Sequence, residues 1–385
     1  MNTREKAHEI RDYVIKIREQ IHENPELSYK EFNTTKLVAS ELDKMGIPYT
    51  LTKPTGLYAD IKGGKPGKTI ALRADMDALN QNEHVDVPFK SKVDGVMHAC
   101  GHDCHTSMLL GAAKILSENK DEIPGTVRLI FQPGEEIALG AKMMIEEGAL
   151  KGVDAIYGQH IFGGGKAGTL STCDNGMMAC CDQFKITVHG KAAHGSMPQA
   201  GIDATVCGAA IVMNLESLVS REYDPQDPLV LTIGKADSGT RWNIVSGEAT
   251  LEGTVRCVST KMHKEVPEAM KRIAEATAAA YRCTVDFQYD VLTEVTNNDP
   301  AIAAYVREAA KKVVDSPEMY SEMKPLMGSE DFSFYTVHVP AAFAALGGGG
   351  TAVNHSDLFC IDESALEVGV AMNVQVALDY LNGNA

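Results

Sequence analysis

The sequence predicts an α/β protein in which a mixed, largely parallel sheet flanked by helices is interrupted by an inserted ferredoxin-like α+β domain. Three observations carry that expectation. The chain has 385 residues, 44% of them hydrophobic, which exceeds one ordinary domain and supplies two buried cores. Helical and strand-like patterns alternate through its first part and resume near its end, as they do where helices cover a parallel sheet. The middle third instead reads β-α-β-β-α-β, the order of a ferredoxin-like unit. The expected domains are therefore 1–181 with 292–385, and the insert 182–291.

The elements follow in order. Ile10, Val14, Ile17 and Ile21 share one helical face, and Asn24-Pro25 ends that helix. Phe32, Leu37, Val38 and Leu42 mark a second helix, stopped by Gly46. Strands are expected over 57–61 and 69–73, with the glycines of 63–67 as a hairpin or loop between them. Met108, Leu109, Ala112, Ile115 and Leu116 give a helix over 105–116. A buried strand over 126–131, a helix over 138–147 and a strand over 155–160 complete the first part. In the insert, Phe184, Ile186 and Val188 alternate as in a half-exposed strand. A helix over 202–219, strands over 229–233 and 249–255, a helix over 266–281 and a strand over 284–289 follow. The closing helix, 364–381, is expected to pack back on the first domain.

Charge and cysteine usage narrow the function. A formal net charge of -16, spread along the chain, argues against nucleic acid and anionic membranes as partners. Nine cysteines without a repeating spacing read as reduced thiols rather than a disulfide framework. No run approaches the roughly 18 apolar residues of a membrane span. Residues Met1 to Glu9 lack the apolar centre of a signal peptide, so a cytoplasmic location is expected.

The chemistry-bearing residues gather in clusters at predicted strand ends, where open α/β folds build their sites. They are His98-Ala99-Cys100-Gly101-His102-Asp103-Cys104-His105, Gln132-Pro133-Gly134-Glu135-Glu136, His160, and Asn354-His355-Ser356. Singly, a Cys-x-His or Glu-Glu pair is commoner as core packing or solvated surface. Together they combine thiolate, imidazole and carboxylate, which suits a borderline divalent metal such as Zn, Mn, Co or Ni. Crowded without a metal, the same groups would shift each other's pKa. Two adjacent carboxylates can also divide labour: with Glu136 on a metal, Glu135 takes a proton from water and passes it to a leaving amine. Asp75 and Asp77 are one residue apart and point to one side of a strand, so Asp77 can orient a metal-binding histidine; the alternative is that the pair caps the next turn.

These residues resemble the aminoacylase and carboxypeptidase family of two-metal peptidases. Within it, the chain is similar to the branch of hippurate hydrolases, N-acetyl amino acid amidohydrolases, auxin-conjugate amidohydrolases and N-acetyl-diaminopimelate deacetylases. The resemblance runs from His22-Glu23-Asn24-Pro25-Glu26-Leu27-Ser28 to Asn354-His355-Ser356. It rests most on Leu72-Arg73-Ala74-Asp75-Met76-Asp77-Ala78-Leu79, on the Cys100 and Glu135 clusters, and on Met327-Gly328-Ser329-Glu330-Asp331-Phe332. It implies two divalent ions per subunit, held by Cys100, His102, Glu136, His160 and His355, with the Cys100 sulfur bridging. It implies Glu135 as the general acid and base, and the insert as a lid that also carries homodimer contacts, with a tetramer as the larger alternative. In the lid, His194 matches the histidine that stabilises the oxyanion, reaching the other subunit's site in dimeric relatives. Asn243 and Arg256 match positions that hold the substrate carboxylate, and Arg pairs bidentately with carboxylate. A structural ion pair is the other reading of Arg256.

The implied activity is release of a free amino acid from an N-acyl (N-acetyl or aryl-acyl) amino acid. The alternative is a dipeptidase or carboxypeptidase with the same machinery. A metal-binding protein without catalysis and a thiol enzyme using Cys100 or Cys104 are the readings from other classes. Departures from the branch pattern, such as Asn80-Gln81-Asn82-Glu83 after Leu79 and Gly163-Gly164-Gly165 after the His160 strand, border the expected cleft and leave the acyl group open.

Overall fold

The computed structural model describes residues 1–383; Asn384 and Ala385, the last two of the expected larger domain, lie outside the described residues. The chain folds as two compact units. The larger takes Met1–Asn175, Asn297–Lys324 and the chain from Phe334 on; the smaller takes Gly176–Thr296 and Pro325–Ser333. Segment 325–333, placed by the sequence reading in the larger domain, thus groups with the smaller unit.

The larger unit is built on an eight-stranded mixed sheet. Its order is Tyr49–Leu51, Leu57–Lys62, Pro124–Gln132, Lys65–Asp75, Ala155–Phe162, Ala341–Gly347, Leu170–Thr172 and Tyr320–Glu322. The central pairings are parallel. A strand covered on both faces is apolar through its centre, and Ile70, Ala71 and Leu72 are all fully buried. Gly63 and Gly64 alone connect the strands Leu57–Lys62 and Lys65–Asp75, Gly67 lies inside the second, and no hairpin forms. The two strands do not pair with each other, because Pro124–Gln132 lies between them, antiparallel to one and parallel to the other.

The helices cover this sheet as the apolar spacing requires. Val14, Ile17 and Ile21 are buried on Arg11–His22, which a break at Ile10 separates from a first short helix, Thr3–Glu9. His102–Glu118 has no solvent face over most of its length, with Met108, Leu109, Leu110, Ala112 and Ala113 fully buried. The closing helix, Ser364–Asn382, packs against it and against Pro300–Val313. Among the described residues, no helix is long and apolar enough to cross a membrane.

The smaller unit has a four-stranded antiparallel sheet, ordered Leu229–Ser238, Glu248–Cys257, Cys181–His189 and Thr284–Thr293. Alternation along Cys181–His189 buries Phe184, Ile186 and Val188 against helices Ala204–Ser217 and Thr260–Ala280, as the pattern predicts. The second helix starts six residues before the sequence expectation. Ser259 caps it by accepting from Met262 N, and Pro267 is accommodated inside it.

Candidate metal centre

The turn from loop to helix at Gly101 sets the geometry of the larger unit's site. Gly101 has a φ of 91°, and a Cβ there would come within 2.5 Å of Ile161 Cγ2. Only glycine lets the chain turn so close to the His160 strand and enter the helix at His102. Cys100 and His102 therefore flank a helix start rather than a strand end, which corrects the sequence expectation for this cluster. Glu135 and Glu136 do follow the end of Pro124–Gln132, and His160 lies on Ala155–Phe162. His355 sits in a loop eight residues past Ala341–Gly347, with a left-handed φ of 66°. Several bonds hold that loop in place: His355 N donates to Ala99 O at 2.8 Å, Asn354 Nδ2 donates to Cys100 O at 2.9 Å and Ile161 O at 3.0 Å, and Asn354 Oδ1 accepts from Gly163 N at 3.0 Å.

These five residues, scattered over 255 positions of sequence, converge. Cys100 Sγ lies 3.3 Å from His160 Nε2 and 3.3 Å from His355 Nε2. Glu136 Oε1 lies 3.9 Å from His102 Nε2 and 3.7 Å from His355 Nε2. Donor atoms of Cys100, His102 and His160, of Cys100, Glu136 and His355, and of His102, Glu135 and Glu136 each fall within 4.8 Å of one another. His355 is the solvent-facing member; the others are buried or nearly so.

Hydrogen bonds choose the tautomers. His160 Nδ1 faces Ile161 O at 2.8 Å, so it carries the proton and Nε2 turns a lone pair toward Cys100. His102 Nδ1 faces Asp77 Oδ1 at 3.3 Å, which leaves its Nε2 buried and without a hydrogen-bond partner. Glu136 Oε1 is likewise buried and unpartnered. Asp77 thus sits where the sequence reading put it, behind a histidine. It also accepts from Glu135 N and Glu136 N, each at 3.1 Å, and from Ser28 Oγ at 2.6 Å.

Electrostatics match that geometry. Burial pushes the Cys100 thiol well above its ordinary value, against the pull of His102. Burial also raises Glu136 to about 7. For His102, burial favours the neutral ring, but the Asp75 charge and the hydrogen bond to Asp77 override it and hold the pKa well above normal. The buried, unpartnered His102 Nε2 and Glu136 Oε1, beside the Cys100 sulfur, suit a borderline divalent cation. The residues present therefore fit the implied metal. The thiol-enzyme reading finds no support, since burial also pushes Cys104 up.

The sequence reading missed several supports. His105 donates from Nδ1 to Asp75 at 2.6 Å and accepts Ile161 N at Nε2 at 2.8 Å, so both nitrogens are spent on structure. Arg18 and His22 both bind Asp103 Oδ2 at 2.8 Å, fixing the helix next to His102. Glu31 accepts from Gly134 N at 2.9 Å and steadies the Glu135 loop. The His22-Glu23 and Arg73-x-Asp75 segments were the available signals for the first two.

The lid candidates lie in the smaller unit. His194 pairs with Ile244 in a two-residue ladder, next to Asn243. Ser196 N and Oγ approach His194 Nδ1 at 3.1 and 2.8 Å, so the ring proton sits on the exposed Nε2. Asn243 Oδ1 is buried without a partner. Arg256 is not brought to them. It lies eight residues along Glu248–Cys257 from its start, roughly 26 Å at strand spacing, and its guanidinium turns back on Thr254 Oγ1 and Val255 O.

Residues 71–379 match the family model described as peptidase family M20/M25/M40. The chain is 43% identical to thermostable carboxypeptidase 2 of Saccharolobus solfataricus, over 97% of each chain. It is 40% identical to IAA-amino acid hydrolase ILR1-like 4 of Arabidopsis thaliana, covering 98% of this chain and 87% of that one. Among solved structures it is similar to a Bacillus subtilis protein described as a dinuclear metal-binding peptidase of the M20 family. There the TM-score is 0.88 and the identity 35%, over 97% of this chain and 99% of that one.

Proposed function

The chain belongs to peptidase family M20/M25/M40, in its amidohydrolase branch, and from that membership we propose that it hydrolyses the amide bond of N-acyl amino acids using two divalent ions. The observation that carries this reading is the convergence of Cys100, His102, Glu136, His160 and His355 around unpartnered donor atoms, with Glu135 beside them. Cys100, placed between His160 and His355, would help to hold the ions from the centre of the cluster. When bound, the ions would polarise the scissile carbonyl and acidify water.

The chain's own groups do the rest. Glu135 takes a proton from the attacking water on its carboxylate and returns it to the leaving nitrogen, so the amine departs neutral. Asp77 fixes the backbone on both sides of that residue and the ring of His102. His194, with its proton on Nε2, is the proposed donor to the carbonyl oxygen as charge develops there. Asn243 and Arg256 are the proposed holders of the substrate carboxylate. Their separation along the smaller unit supports a homodimer in which the two come from different subunits.

Amine release across N-acetyl amino acids, aryl-acyl amino acids and plain dipeptides tests this reading, with Glu135→Gln beside the wild type. Turnover of one acyl class is expected, falling about 10²- to 10⁴-fold in Glu135→Gln while its metal content stays unchanged. Activity that survives chelation would refute the metal route. The likeness to a thermostable carboxypeptidase favours a second reading, peptidase action at the same site. Turnover confined to free dipeptides would select it.

A further inference from the structure

The core of the smaller unit holds a second set of metal-capable donors. Cys180 leads into the strand Cys181–His189, with Asp182 near its start; Cys257 ends Glu248–Cys257, and His263 lies in the first turn of Thr260–Ala280. The strand register forces them together. Asp182 pairs with Val255, and Cys180 N donates to Cys257 O at 2.9 Å, so the two cysteines face each other. Their sulfurs are 3.6 Å apart. Cys180 Sγ lies 3.5 Å from Asp182 Oδ2, and His263 Nε2 lies 3.1 and 2.9 Å from the two Asp182 oxygens. Cys180, Asp182 and Cys257 are fully buried and His263 is 6% exposed. The proposed hydrolysis uses none of them.

We propose that Cys180, Asp182, Cys257 and His263 form a closed structural site for a borderline divalent ion such as zinc. The spacing fits the ion. Tetrahedral zinc, with bonds of about 2.3 Å to sulfur and about 2.0–2.1 Å to nitrogen and oxygen, spaces two sulfurs about 3.8 Å apart. The same geometry puts sulfur about 3.5 Å from oxygen and nitrogen about 3.3 Å from oxygen. The observed separations of 3.6, 3.5 and 2.9–3.1 Å need only small shifts to match. Donor atoms of Cys180, Asp182 and His263 fall within 4.8 Å of one another, and Cys257, against Cys180, supplies the fourth position of a closed, structural rather than hydrolytic site.

The surroundings are those of a metal-bound imidazole. Glu294 Oε2 lies 3.2 Å from His263 Nδ1, a carboxylate that fixes the ring and leaves Nε2 for an ion. Tyr289 donates to Asp182 Oδ2 at 2.7 Å, orienting the carboxylate. Binding releases the protons of both thiols and the Nε2 proton of His263, which the ion replaces. The competing arrangement is a metal-free network in which His263 keeps a proton between Asp182 and Glu294.

Cobalt separates the two. The full chain carrying Cys100→Ser, kept reduced, is titrated with Co²⁺ and followed by absorption. That variant removes the sulfur of the other cluster and leaves the smaller unit intact. A sulfur-to-cobalt charge-transfer band saturating at one ion per chain is expected, with displacement by Zn²⁺ and loss on adding Cys180→Ser with Cys257→Ser. No such band, or one that survives both added changes, overturns the site. Should the added changes prevent folding, X-ray absorption on zinc-loaded Cys100→Ser decides. Sulfur neighbours at about 2.3 Å support the site, and a shell of nitrogen and oxygen alone refutes it.

Discussion

Asp77 uses both carboxylate oxygens at once: Oδ1 takes His102 Nδ1 and Glu135 N, while Oδ2 takes Ser28 Oγ and Glu136 N. One fully buried side chain thereby sets a proposed ligand, the proposed base and the backbone between them. An amide in its place has one acceptor oxygen, and its NH2 group would confront N–H donors. Asp77→Asn is therefore expected to weaken metal binding roughly 10- to 100-fold. Excess metal should restore occupancy but not kcat, with KM little changed, because the Glu135 loop is no longer held. Metal content after dialysis and steady-state kinetics read the two effects separately. Wild-type kcat at full occupancy would remove Asp77 from the positioning role. At this scale the sequence was legible where chemistry is local. The Asp75-x-Asp77 spacing pointed to a carboxylate behind a histidine, but nothing in it distinguished His105, bound on both nitrogens, from His102, bound on one.

Glu31 joins two elements that the sequence shows as unrelated: it precedes the helix Phe32–Met45 and accepts from Gly134 N, ahead of Glu135. Burial, with the Thr55 hydroxyl opposing and the Asp77 charge adding, pushes its carboxyl from the ordinary 4.5 to about 7. The sign follows from proton uptake. Between those values the folded chain keeps a proton that the unfolded chain has released, so stability falls as pH rises through the window and levels above it. The loss is roughly 1.4 kcal/mol per pH unit at most, or about 3 kcal/mol in all. Chemical denaturation of wild type and Glu31→Gln from pH 4.5 to 7.5 should give curves that diverge by that amount. Parallel curves would show that Glu31 is ionised throughout. Elements of this kind mark the limit of pattern reading. Apolar periodicity located the helices and the buried central strands, because burial dictates residue type there. It did not show that Pro124–Gln132 separates two strands joined by only two residues, since pairing partners leave no mark on either strand's own pattern.

The whole molecule poses the question of how many chains make one site. The smaller unit's outer strand, Leu229–Ser238, has a partner on one side only among the described residues. The neighbouring helix Ala204–Ser217 leaves Val206 50% and Met213 71% exposed. An open strand edge beside an apolar helix face is a surface that two identical copies can cover symmetrically. Within one smaller unit, His194 and Asn243 lie at the opposite end of a ten-residue strand from Arg256. If one substrate needs all three, the proposed dimer supplies them from two chains. Mixed dimers decide this. A Glu135→Gln chain paired with a His194→Asn chain holds one site with an intact Glu135 and, in the crossed arrangement, the partner's intact histidine. Random subunit mixing should then recover about a quarter of wild-type activity from two inactive parents, since half the dimers are mixed and each has one good site. If His194 serves its own chain, every mixed dimer stays inactive and mixing recovers nothing. Sedimentation of the same samples, run before and after mixing, ties any recovery to dimers of exchanged subunits.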